Sequence, residues 1–184
     1  KVNFQDNRWN RCAPTAPQAT PTQTRTPTNT PTPKTQPPCL TANVDGNYSE
    51  WNLATDFFAN MYRAGNPTKK VESKLYLRYD ASTSTLYALV LAEPGVTILA
   101  NLPSDSFIKI GGTKLVDGNS GDDGTPPDFA WIGFSGNTAL GWEASVFLAQ
   151  GSYNDLNVHT QVDDGGSQTS AVEDRAIDLL INFP

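Results

Sequence analysis

The residues with the clearest chemical potential lie between Asp117 and Asp128, in the run DGNSGDDGTPPD. Asp117, Asn119, Asp122, Asp123 and Asp128 offer side-chain oxygens at close spacing, the donor type that a hard cation such as Ca²⁺ takes six to eight at a time. The spacing departs from the helix–loop–helix calcium pattern: the fifth and sixth positions are Gly121 and Asp122, and Pro126-Pro127 interrupt the second half. Asp, Asn and Gly also simply make turns. A second chemistry is stacking of sugar rings on aromatic faces, for which Trp51, Trp131 and Trp142 are available. Catalytic patterns are missing. The one histidine, His159, alternates within LNVHTQV and is expected to face solvent. No nucleophile elbow, zinc-protease helix or phosphate loop occurs. The chain reads as non-catalytic, with no cofactor required and calcium as the one candidate ion.

The two cysteines frame the most unusual stretch. Cys12 and Cys39 bound a Pro/Thr-rich arm with eight prolines between Pro14 and Pro38. Proline lacks an N–H and fixes φ, which excludes helix interiors and central strands and leaves extended polyproline II. At about 3.1 Å per residue, such an arm spans roughly 80 Å. It reads either as a plain linker or as a spacer that straps one body to another. Thr alternating with Pro is also the composition of O-glycosylated stalks, with Thr22, Thr28, Thr30 and Thr32 as candidate acceptors. Asn47-Tyr48-Ser49 is an N-glycosylation pattern. The cysteine pair suggests one disulfide and an oxidising compartment. An intrachain Cys12–Cys39 bridge would close a loop of about 28 residues and contribute roughly 3–4 kcal/mol. An interchain bridge would staple neighbours instead. An opening at Lys1 without an initiator methionine suggests a mature, processed form, and the expected location is extracellular or at the cell surface.

Ahead of the arm, residues 1–11 (KVNFQDNRWNR) alternate apolar and polar side chains. Val2 and Phe4 mark a candidate strand and Trp9 a further apolar anchor. A lone strand needs a sheet edge to pair with, its own or another copy's. Residues 40–184 form the folded body. Gly and Pro punctuate it about every ten residues and no long helical period appears, which points to an antiparallel β-sandwich of about ten strands. Expected strands are Leu40–Val44, Asp56–Tyr62, Ser73–Asp80, Leu86–Ala92, Val96–Leu99, Phe107–Ile110, Thr113–Val116, Phe129–Phe134, Leu140–Leu148, Leu156–Val162 and Ala176–Phe183. Leu75, Leu77 and Tyr79 share one face of their strand, with Lys74, Tyr76 and Arg78 on the other. Gly111-Gly112 supplies the positive-φ pair of a two-residue hairpin. A net charge of −6 disfavours nucleic acid, and no apolar run is long enough for a transmembrane helix.

Three stretches carry a family resemblance: VDGNYSEW (Val44 to Trp51), KLYLRYDASTSTLYALVLA (Lys74 to Ala92) and LGWEASVFLA (Leu140 to Ala149). Over about 145 residues the chain resembles secreted β-sandwich domains of the family 9 carbohydrate-binding module and DOMON-like group. The resemblance implies a sandwich of about ten strands, secretion, often calcium and sometimes sugar binding. It also places Trp51 and Trp142 at structural positions. Two functions emerge as expectations. In the first, an extracellular structural subunit assembles with other copies into a filament or layer through its tail and arm. In the second, a module that binds polysaccharide is tethered by a Pro/Thr linker.

Overall fold

The computed structural model describes residues 41–172 and 175–179. The expected tail strand (Val2, Phe4, Trp9), the Pro/Thr arm with Thr22, Thr28, Thr30 and Thr32, and the Cys12–Cys39 pair lie outside the described residues, as do residues 180–183 of the last expected strand.

Twelve strands follow one another: β1 (Phe57–Arg63), β2 (Val71–Asp80), β3 (Thr85–Ala92), β4 (Thr97–Leu99), β5 (Phe107–Ile110), β6 (Thr113–Asp117), β7 (Asp128–Ile132), β8 (Thr138–Ala139), β9 (Gly141–Phe147), β10 (Gly151–Asp163), β11 (Ser167–Ala171) and β12 (Arg175–Leu179). Single 3₁₀ turns at Tyr48–Glu50 and Pro103–Asp105 are the only helical turns among the described residues. The all-β antiparallel architecture expected from the sequence is the one adopted. All twelve strands belong to one hydrogen-bonded sheet with the main order β6-β5-β10-β11-β1-β2-β3-β9-β7, curled nearly into a barrel. The two layers expected of a sandwich are therefore opposite walls of a single sheet.

Side-chain alternation explains the curl. Leu75, Leu77 and Tyr79 of β2, Leu86, Ala88 and Val90 of β3, and Trp142, Ala144 and Val146 of β9 point inward. They meet Ile108, Val116, Phe129, Leu156, Val158 and Val162 from the other strands in one core. Strands β2 and β3 pair in continuous register from Ser73–Ala92 to Asp80–Thr85, as the sequence pattern requires. The β5–β6 turn has φ of +55° at Gly111 and +83° at Gly112, the two positive values of a primed hairpin turn.

Three sequence expectations are corrected. Thr41 to Val44 form no strand; they belong to a segment laid across the outside of the sheet, where Ala42 packs in a second apolar cluster with Trp51, Tyr76, Leu89 and Ile132. The Phe129–Phe134 strand stops at Ile132, because Gly133 turns the chain at φ +59° and Phe134 is 59 % exposed. The polar run Ser167–Ala171, where no strand was expected, is β11, wedged between β10 and β1.

Strand β9 lies tight against β3. A Cβ on Gly141 would stand 2.4 Å from the Val90 carbonyl oxygen, closer than real contacts allow. Gly166, in the β10–β11 turn, has nothing within 4 Å. Gly141→Ala is expected to destabilise the fold by about 1–3 kcal/mol through forced backbone displacement, while Gly166→Ala stays within about 0.5 kcal/mol of the parent. Urea unfolding of the two variants checks this.

Candidate functional site

Two buried charged side chains, Arg78 and Glu143, lie on the outer face of β2 and β9, beneath the strap formed by residues 41–56. The strap is stiffened locally. Asp45 Oδ1 accepts from Asn47 N–H at 2.9 Å, Asn47 Oδ1 caps the 3₁₀ turn by accepting from Ser49 N–H at 3.2 Å, and Glu50 Oε1 accepts from Asn43 N–H at 3.0 Å. It is fastened to the sheet at two places.

The first fastening is Glu143 on β9. Its side chain points outward, since Trp142 and Ala144 point in, yet the residue is fully buried because the strap covers it. Glu143 Oε1 accepts from the Trp51 indole N–H at 2.7 Å, and Oε2 accepts from Gly46 N–H at 3.1 Å. Gly46 has φ +76°, and a Cβ there would lie 2.6 Å from the Trp131 carbonyl oxygen, so glycine alone lets the strap approach this closely. Burial pushes the Glu143 carboxyl up to about 7; the Trp51 hydrogen bond opposes the rise, and the nearby charges of Glu50 and Asp45 add to it.

The second fastening is Arg78 on β2. Its Nε and Nη2 donate to Asp56 Oδ2 at 3.0 and 2.7 Å, and Nη2 also donates to the Glu50 carbonyl at 2.6 Å. The guanidinium carbon lies 4.7 Å from the centre of the Trp51 ring, a cation–π contact. Trp51 is thus held on one side by a cation and at its N–H by a carboxylate.

The other anticipated positions are not gathered into a site. Asp128 is buried, and its two oxygens accept from Asp123 N–H (3.0 Å) and Gly124 N–H (3.1 Å). Asp117 accepts from Asn119 N–H at 2.9 Å and from Lys114 at 3.2 Å; Asp123 accepts from Thr125 N–H at 2.9 Å. These carboxylates close the loop's own turns, and Asp122 is exposed beside them. Among the described residues no three His, Cys, Asp or Glu side chains are grouped so as to hold a metal.

Two of the three tryptophans considered as a sugar platform are buried. Trp142 is 0 % exposed and Trp51 6 %, so neither offers a face. Trp131 is half-buried, edge-on to Phe129 at 4.9 Å, while Phe129 stacks on Trp142 at 5.1 Å. Asn47 is exposed. His159, expected to face solvent, is half-buried. Its ring stacks on Phe107 at 4.8 Å, and its Nδ1 lies 2.6 Å from the Asp105 carbonyl oxygen. It lines an open groove of about 570 Å³ with Asn157, Thr169, Ala171, Val172 and the Ala64-Gly65 turn.

Glu143, Arg78 and Gly46 were not singled out in the sequence as site residues. The available signal was a charged residue at an outward position of an otherwise apolar strand, beside a tryptophan.

No protein-family model, no curated protein and no solved structure matches this chain.

Trp51→Phe keeps the ring and deletes the N–H that steadies the Glu143 carboxylate. It is expected to cost about 1–3 kcal/mol at pH 8 and less at pH 5, where the carboxyl is protonated. Urea unfolding at the two pH values reads the difference.

Proposed function

We propose that this chain is a non-catalytic extracellular structural subunit whose tail and Pro/Thr arm reach neighbouring copies and build a filament or layer. The observation that carries this reading is the partition of charge. Residues 1–40 hold Lys1, Arg8, Arg11, Arg25 and Lys34 against the single acid Asp6, a net +4. With −6 for the whole chain, that leaves −10 on residues 41–184. A basic arm and an acidic body attract one another between copies, and opposite charge speeds encounter and fixes orientation. An arm able to span roughly 80 Å as polyproline II reaches well past its own domain. An apolar-alternating strand at its tip supplies main-chain hydrogen bonds to a receiving sheet edge. Repeated head-to-tail contact of this kind gives an open polymer.

A second reading, a carbohydrate-binding module on a tether, draws support from the groove at Asn157, His159 and Thr169, whose size falls in the range of small-ligand pockets. Retention of the intact chain on any of a panel of insoluble glycans would favour it; passage through the whole panel would remove it.

The structural reading is tested by negative-stain electron microscopy of the full chain beside a variant lacking residues 1–11, at low salt and at about 0.5 M salt. Regular polymers are expected only from the full chain, and fewer at high salt, where screening shortens the reach of the arm's charges to a few ångströms. Identical single particles from both chains at low salt would overturn the proposal.

A further inference from the structure

Glu143 is a buried acid with no cation in contact among the described residues. On the strap it faces two N–H donors and two acids, Asp45 and Glu50. On the sheet, the residues paired with it are Leu89 of β3 and Ala130 of β7. Farther along the same outer face stand Tyr87, Ser145, Tyr76 and the buried Asp128, whose oxygens are taken by its own loop. The cations described on this face are both engaged elsewhere, Arg78 with Asp56 and the Glu50 carbonyl and Lys74 with Glu93. A charge sealed in such surroundings loses its hydration and gains only two neutral donors in return.

We propose that Glu143 is a proton-controlled latch: the strap of residues 41–56 closes over the protonated acid and is loosened when the acid ionises. The strap is the segment through which the arm joins the domain, so the latch sets how firmly the arm's root is held. The inference does not depend on what the arm binds. Glu143 loses its proton at about 7 with the strap closed, against an ordinary 4.5 when solvated. A raised acid pKa means that strap docking is strongest below pH 4.5 and is progressively lost as pH climbs to about 7. Across that window each pH unit shifts the opening equilibrium about tenfold toward the open state, roughly 300-fold in all, and above it the shift levels off.

The test uses the full chain with carbon-13 in its glutamate carboxyls, titrated by NMR from pH 4 to 8.5 in EDTA. Hydrogen exchange of the Gly46 amide and the Trp51 indole N–H is followed in parallel and corrected for the intrinsic pH dependence of exchange. The latch requires a Glu143 midpoint near 7 and a loss of protection at both protons over the same range. In Glu143→Gln the corrected protection should be flat with pH. A midpoint in the ordinary carboxylate range would overturn the proposal, as would protection that stays constant while Glu143 titrates. If the glutamine variant does not fold, the parent titration and its exchange profile decide alone.

Discussion

One carboxylate sealed under its own polypeptide is the interaction around which the outside of this sheet is organised. Strands β2 and β3 present Tyr76 and Leu89 on the outer face of the sheet, and beside them on β9 stands Glu143, with Trp51 of the strap laid over all three. Left open, this face would expose apolar area; covered without donors, it would strand an acid. The strap answers both demands because it brings an indole whose ring is apolar and whose edge carries an N–H. Gly46 follows from the same constraint, since the second donor must come from backbone pressed against Trp131. Arg78 follows too, for it fixes the strap's far end through Asp56 and flanks the same indole.

Inside the barrel, polar side chains are accommodated by pairing with each other. Ser73 of β2 meets Ser170 of β11 at 2.7 Å, and Ser106 meets Thr160 of β10 at 2.5 Å, with all four side chains buried. At one end, Glu72 is fully buried beneath Arg63 and Lys70, and both cations also reach Asp164 in the β10–β11 turn. The Ser73–Ser170 pair and the Glu72 group tie β1 and β2 to β11 and its turn, and the Ser106–Thr160 pair ties the start of β5 to β10.

The sequence carried most of the sheet and little of the site. The β2–β3 hairpin was readable because one face is almost purely apolar, and β5–β6 because two glycines can only mean a primed turn. Strand β11 was not readable, since SQTSA holds hydroxyls, those of Thr169 and Ser170, whose partners sit 8 to 109 positions away in the chain. Thr41–Val44 misled for the opposite reason: Ala42 is buried by packing on top of the sheet, which gives a strand-like composition without strand pairing. The tryptophans were visible as residues but not as environments, because alternation tells which side of a strand a ring occupies and not whether something lies over it. Glu143 was hidden by the same gap, as an outward acid is ordinarily a solvated one.

Strand β10 has a consequence for how the chain reaches this state. It pairs with β4, β5, β11 and β12, so a single segment near the C-terminal end closes partnerships made from both sides of it in sequence. During synthesis, β1, β2, β3 and β9 can associate early, but β5 has only β6 beside it and β4 only β8 until β10 emerges. Loop-closure entropy then falls on one late event, the signature of a slow, high-contact-order folder. Until that event, half the barrel waits with open edges, which makes the interval before β10 docks the most aggregation-exposed period in the molecule's life.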